Sequence, residues 1–381
     1  MLDFDHVVAR AGTGSSKWNK YAGQDVLPMW VADMDFPAPQ AVIEAIQARA
    51  AHGVFGYNEP PPGLVDVVLA RLQDRYGIKA TEEHLVFGPG VVPALNQACR
   101  GLLDDGEAVA TIVPVYHPFL AAPGNFGREL HRVHAVETPD GWRYPMDQLR
   151  ALFREHPEIR LYMLCNPHNP IGRCLTAEEV YEVVEICLEH DVLIVSDEIH
   201  CDLLFDNRTH AATLAVHPRA HEITVAMMAA SKTFNVAGLG GYVAIIPNPA
   251  LRERYEAAGE GIMANVTTFG FTALQVAWRD CADWHEALLA YLTANRSYLA
   301  ERVSAIPGMS MGDVQGTYLA WLDVRDLELD DPMAFFEAAG VGLSPGEQFD
   351  GHGFMRLNFA CPRSTLEEAC NRVSAAVAAL V

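Results

Sequence analysis

An α/β fold is predicted for this chain: a large domain with a mostly parallel sheet flanked by helices, plus a smaller α/β domain. Three observations predict it. From about residue 84, apolar runs of strand length alternate with helix-length segments, the pattern of a parallel sheet covered on both faces. Half of the 381 residues are apolar and a fifth are charged, so the chain can bury a large core and form two or three domains. Near residue 285 the alternation gives way to one long helical stretch, two strands and a terminal helix, which marks a second unit.

The elements follow in order. The first 40 residues are irregular and aromatic-rich ("KWNKYAGQDVLPMWVADMDFPAP"). "PQAVIEAIQARA" reads as a helix, "GVFGYNEPPPGL" as a Pro/Gly loop, and residues 64–76 as a second helix. "AVATIV", "LYMLC", "LIVSD", "TVAMMAA" and "GYVAIIP" are the strand-length runs, separated by segments such as "TAEEVYEVVEICLEH". Residues 285–305 read as one long helix. "TYLAWLDV" and "FMRLNFAC" are strands, and "STLEEACNRVSAAVAALV" is an amphipathic helix. The expected division is 1–48 (an N-terminal segment joining the small domain), 49–283 (the large domain) and 284–381 (the small domain). No internal repeat or low-complexity tract interrupts it.

The formal net charge of −22 argues against a nucleic-acid partner and an anionic membrane surface. It leaves room for an anionic cofactor, because a few local donors hold a phosphate. Eight cysteines at 99, 165, 174, 187, 201, 281, 361 and 370 show no Cys-x-x-Cys pair, which suits reduced thiols. "MLDFDHVVAR" lacks an apolar signal core, and the apolar runs are far shorter than the ~20 residues of a membrane helix. A cytoplasmic enzyme-sized protein is expected.

Four stretches carry chemistry. In "VFGPGVVPALNQACRGLL" a strand ends near Phe87, Gly88-Pro89-Gly90 turns, and a helix begins near Val92. Backbone N–H groups and the helix terminus can cradle an anion there. Taken alone, the same pattern is an ordinary strand–turn–helix. In "LCNPHNPIGR", Asn166 and Asn169 each precede a proline and can point from a strand's carboxyl end; turn chemistry alone also explains them. In "LIVSDEIHCDLLF", Asp197 ends a buried strand, where a carboxylate needs a charged or hydrogen-bonding partner or becomes protonated. Capping the next turn is the plainer role. His200 is close enough in sequence to reach the same place. A metal at His200-Cys201-Asp202 would lack a second ligand pair, so no metal is predicted. In "AASKTFNVAGLGG", Lys232 follows an apolar strand, and a partly desolvated amine there can form an imine. Most lone lysines are simply solvated. Together the four place an anion cup, an amide donor, an acid and an amine at successive strand ends. Pyridoxal 5′-phosphate needs all four.

With "NPHNPIG", "SDEIH" and "SKTFNVAGL" in this order and spacing, the chain resembles the fold-type I pyridoxal-phosphate enzymes of the aminotransferase class I/II family. Within that family it looks most like the cystathionine β-lyase-type carbon–sulfur lyases. "KWNKYAGQDVLPMWVADMDFPAP", "VFGYNEPPPGL", "DEIHCDL" and "FMRLNFACP" carry that second likeness. The resemblance implies a role for each matching position. Lys232 is the imine lysine and Asp197 the partner of the pyridine nitrogen. Asn169 is the donor to the ring hydroxyl, with His200 where many relatives have a tyrosine. Tyr116 stacks on the ring. Gly90, Val91 and Val92 form the phosphate cup with Ser231 nearby. Arg356 clamps the substrate carboxylate. Tyr57 reaches into the partner subunit, which implies a homodimer. Tyr116 and Tyr57 are the candidates to protonate a departing thiolate. Trp30, Asp33 and Phe349 are expected to shape the choice of substrate. Two positions depart from the aminotransferase pattern: Gly240 stands where an arginine usually contacts the phosphate, and Ala229 where a serine is common.

The implied reaction is β-elimination on cystathionine or a related cysteine S-conjugate, giving a thiol, pyruvate and ammonia. Lys232 is the general base. An aminotransferase uses the same lysine, aspartate and arginine and is the alternative. A regulatory protein acting through partner contacts is the alternative of another class. A dinucleotide dehydrogenase is disfavoured, because no Gly-x-Gly-x-x-Gly run opens a helix after the first strand.

Overall fold

Seven apolar runs form one sheet: β1 (Leu85–Gly88), β2 (Ala108–Val113), β3 (Leu130–His134), β4 (Ile159–Cys165), β5 (Leu193–Asp197), β6 (Thr224–Met228) and β7 (Tyr242–Ile245). The structure, a computed structural model, describes residues 3–138 and 141–380; residues 1, 2 and 381 of the two terminal segments lie outside it. The strand order is β1-β7-β6-β5-β4-β2-β3. Strands β2 to β6 run parallel, and β7 runs antiparallel to both β6 and β1. Every residue of β2 and β6 is buried, as a sheet covered on both faces requires. Strand β3 is not among the expected strands. It reads LHRVH, only Val133 is buried, and it is the sheet edge, where one side of the ladder faces water.

Helices cover the faces. Leu64–Tyr76 buries Leu64, Val68, Leu72 and Tyr76 at four-residue spacing and stops at Gly77, whose φ of 69° is left-handed. Ala177–Glu189 opens on a capping box made by Thr176 and Glu179. The expected 285–305 helix spans Ala282–Ser304, and the terminal helix spans Arg363–Ala378. Among the described residues, no helix is long and apolar enough to cross a membrane.

A second, antiparallel sheet holds β8 (Ser310–Met311), β9 (Leu319–Asp323), β10 (Ser344–Pro345) and β11 (Phe354–Asn358), in the order β8-β9-β11-β10. The N-terminal segment meets this region where Leu27–Pro28 pairs in parallel with Val341–Gly342. Residues 30–36 then run on as a strap held by its carbonyls. Trp30 O accepts from Arg356, Val31 O and Asp33 O from Asn358, Ala32 O from Tyr318, and Met34 O and Phe36 O from Asn235. An ion cluster of Arg10 and Lys17 with Asp33 and Asp35 anchors the strap from outside.

Candidate active site

Parallel strands deliver their carboxyl ends to one side of the sheet, where ligands of open α/β folds bind. A cavity of about 260 Å³ lies there. Gly90, Val91, Val92, Tyr116, Asn169, Asp197, His200, Ser231 and Lys232 all line it, together with Ala32 and Gly240. Residues some 140 positions apart in sequence thus meet because β1, β4, β5 and β6 end together. A larger, shallower groove of about 680 Å³ runs along the helix Pro249–Gly259, but its charged lining is solvated Arg and Glu.

Asp197 ends β5 and is buried. Its Oδ1 accepts from Ile199 N at 3.1 Å. Burial pushes its carboxyl up to about 7, against the pull of the Ile199 N–H and Lys232. The Lys232 amine donates to Ala32 O at 2.7 Å. Desolvation, helped by the nearby Arg356 charge, brings it down to about 8. His200 is buried with Nδ1 unpartnered, and burial holds it well below the ordinary imidazole range, so the ring is neutral. Burial likewise raises Tyr116; Arg356 opposes the shift and Asp197 adds to it.

Arg356 lies on β11, behind the cavity lining, and reaches it through Asn169. It donates to Asn169 Oδ1 at 3.0 Å and to Trp30 O at 2.7 Å, stacks over Phe349 at 4.6 Å, and leaves Nε without a partner. Among the described residues, no carboxylate lies within 4.0 Å of it. Desolvation lowers it to about 10. A buried guanidinium with neutral partners only is built to receive an anion.

The helix Val91–Gly101 points its N-terminus at the same space. No side chain caps it, and Pro93 brings no N–H of its own, so the amides of Val91 and Val92 lack intrahelical partners. Gly240 closes the cup from below. Its φ is +75°, and a Cβ there would stand 3.0 Å from Pro89 O. Gly241 N meanwhile donates to that same carbonyl at 2.9 Å. The glycine suits this left-handed turn, and a side chain there would be strained and crowd Pro89 O.

Other expected residues lie elsewhere. Asn166 faces away from the cavity, bonded to Leu175 N and Ala211 O; only Asn169 of the two faces inward. Asp33 and Trp30 do not line the cavity. The Asp33 carboxylate is taken by Arg10 at 2.7 Å, and the Trp30 indole donates to Lys17 O. Phe349 is fully buried beneath Arg356. Tyr57 is wholly exposed, outside the cavity of its own chain. Asp202 turns away and pairs with Arg71 and Tyr76. Sequence reasoning missed Ala32, Ser344 and Tyr318. Ala32 acts through its carbonyl, which leaves no trace in the residue letter, while Ser344 and Tyr318 brace the strap.

A buried acid, an amine of lowered basicity, a neutral imidazole and a helix N-terminus thus surround one cavity. The family whose pattern fits residues 24–373 is aminotransferase class I and II. The chain belongs to that family. Its relatives include cystathionine β-lyase PatB of Bacillus subtilis (strain 168), 36% identical over 99% of this chain and 100% of the relative. Protein MalY of Escherichia coli (strain K12) is 33% identical over 97% of each. Among solved structures, cystalysin from Treponema denticola, which contains a pyridoxal 5′-phosphate cofactor, superposes with a TM-score of 0.96 at 29% identity, covering 100% of both chains. The fold expected from the sequence resemblance, a fold-type I member of this family, is the fold observed.

Proposed function

We propose that this chain binds pyridoxal 5′-phosphate and works as a carbon–sulfur β-lyase, cleaving cystathionine or a related cysteine S-conjugate to a thiol, pyruvate and ammonia. The observation that carries the cofactor assignment is the set of buried polar groups left without partners in one cavity. Asp197 has a free oxygen, His200 an orphan ring nitrogen, and the helix at Val91 an uncapped N-terminus. Those groups match a ring N–H, a ring hydroxyl and a phosphate. Ser231 and Asn169 add donors at the rim. The lyase assignment rests on kinship with proteins named cystathionine β-lyase.

When bound, the cofactor supplies an aldehyde for amine capture and a ring that accepts an electron pair from the substrate Cα. Lys232 is the residue to hold that aldehyde and then to take the Cα proton. An amine near 8 is partly neutral at physiological pH and still basic enough for the transfer. Arg356 binds the substrate carboxylate with its free Nε and fork, fixing which Cα bond faces Lys232. Asp197 would hold the ring nitrogen, and a cation there would offset the desolvation that otherwise protonates the carboxyl. Tyr116, which feels the charges of Arg356 and Asp197, would stack on the ring and give a proton to the leaving sulfur.

The working unit in this reading is a homodimer in the cytoplasm. Val54, Phe55 and Tyr57 are exposed on one loop, and Val92 at the cavity helix and Ile262 are exposed as well. Apolar surface of this kind favours a second copy, with Tyr57 completing the partner's cavity. Trp30 and Asp33 serve substrate binding through the strap, and the chain divides at about residues 48 and 283.

The test is the purified protein with cystathionine and no keto acid, followed for pyruvate over many turnovers. Sustained release supports the lyase. A single-turnover spectral change that a keto acid reverses, without pyruvate, would make the protein an aminotransferase.

A further inference from the structure

The amino ends of the same parallel strands carry a second cluster, one strand length away from the cavity. We infer that His131, His156 and Glu158 form a site for a divalent transition-metal ion of the zinc type. His131 lies on the edge strand β3, His156 caps the helix Met146–Glu155, and Glu158 precedes β4. In the sheet β2 lies between β3 and β4, so the three residues meet across the end of β2.

Their ligand atoms all lie within 4.8 Å of one another, and no other such group exists among the described residues. His156 Nδ1 is 2.9 Å from Glu158 Oε1, and His131 Nε2 is 3.7 Å from that same oxygen. Zinc bonds of about 2.0–2.1 Å in tetrahedral geometry set neighbouring ligands about 3.3 Å apart. The two observed separations bracket that spacing, so small side-chain rotations complete the site. The two imidazole rings already lie against each other, with centroids 4.4 Å apart and planes tilted by 45°.

His131 supplies the second observation. Its Nε2 is buried and has no hydrogen-bond partner, and Glu129 Oε1 at 3.8 Å is also too far to bond it. A buried ring nitrogen left unpaired is destabilising, and a metal ion satisfies it directly. Two imidazoles with a carboxylate suit zinc, whereas magnesium and calcium take oxygen ligands. All eight cysteines are buried, so thiols do not compete for an added ion. Bound there, the ion joins the end of one helix to the exposed edge strand.

The experiment uses the untagged holoenzyme, stripped with a chelator, loaded with zinc chloride and dialysed. Zinc per chain and the midpoint of thermal unfolding are measured for the native protein, His131→Ala and Glu158→Gln. The expected result is one retained ion per chain and a higher midpoint, with both lost in each variant. The Glu158 side chain is partly exposed and its glutamine variant should keep the fold, so a poorly folding His131→Ala does not decide the matter. Failure to retain zinc, or equal retention by Glu158→Gln, would overturn the site. Cleavage of cystathionine is a separate readout, because no residue of this cluster touches the cavity.

Discussion

Asp197 and Asp202 sit on one short segment, both fully buried, and their acidities move in opposite directions. Burial pushes each carboxyl up. At Asp202 the Arg71 guanidinium outweighs that cost and holds it below its ordinary value, with Tyr76 bonded to the other oxygen. At Asp197 the Ile199 N–H and the Lys232 charge pull the same way but do not outweigh burial, and the carboxyl rises to about 7. The same contrast separates the strap from the cavity. Asp35 is held low by Lys17 against its own burial, and its oxygens are shared among Lys17, Arg10 and Trp18. Lys232 and Arg356 have only neutral acceptors and both lose basicity. Satisfied clusters hold the chain together. The unsatisfied one lines a cavity, because its partners belong to a ligand.

The largest effect that tests this contrast is at Lys232. Lys232→Ala should lower the rate of pyruvate release by about 10²–10⁴-fold, the usual worth of a positioned general base, and abolish the visible absorption band of the bound cofactor. An unchanged band in the purified variant would remove the lysine from its role. Next is Asp202→Asn, which breaks a buried pair. It should cost about 3–5 kcal/mol in denaturant unfolding, because Arg71 is left charged and buried. A loss near zero would mean that the cluster is not what holds this segment. Arg356→Ala should raise KM for cystathionine by roughly 10–100-fold, from the ~1.5–3 kcal/mol of a charge-assisted bond, while cofactor affinity changes little. The reverse pattern would move Arg356 to the phosphate.

The smallest effect is a pH dependence. Asp197 has a folded value raised from 3.8 to about 7, so between those values the folded chain holds a proton that the unfolded chain has released. Its contribution to stability is complete below 3.8 and is lost as pH rises through about 7. In cofactor-free protein, Asp197→Asn should therefore flatten the decline of unfolding free energy across that window. Lys232, lowered from 10.5 to about 8, acts above it. Parallel curves for the two proteins would show that Asp197 is already ionised in the folded chain.

Much of this was legible in the sequence. Period and length placed β2, β4, β5, β6 and β7, because strands buried on both faces read as unbroken apolar runs. A lysine or an aspartate directly after such a run has few other places to go than the strand's end. Strand β3 was not legible: an edge strand is half solvated, and LHRVH carries too little apolar signal. Trp30 and Asp33 were legible as unusual residues but not as strap anchors, since their partners Arg356, Arg10 and Lys17 are joined only by the fold.

By itself, the sequence determined the order of strands and helices and the chemistry at each strand's carboxyl end. Both follow from local periodicity and from neighbours a few residues apart. The tertiary structure alone decided which charges remain unpaired. Lys232 meets Ala32 O across 200 residues, and Arg356 meets Asn169 across 187. Whether a buried charge finds a counter-charge depends on what the fold brings within about 4 Å, where the attraction is strong enough to offset desolvation.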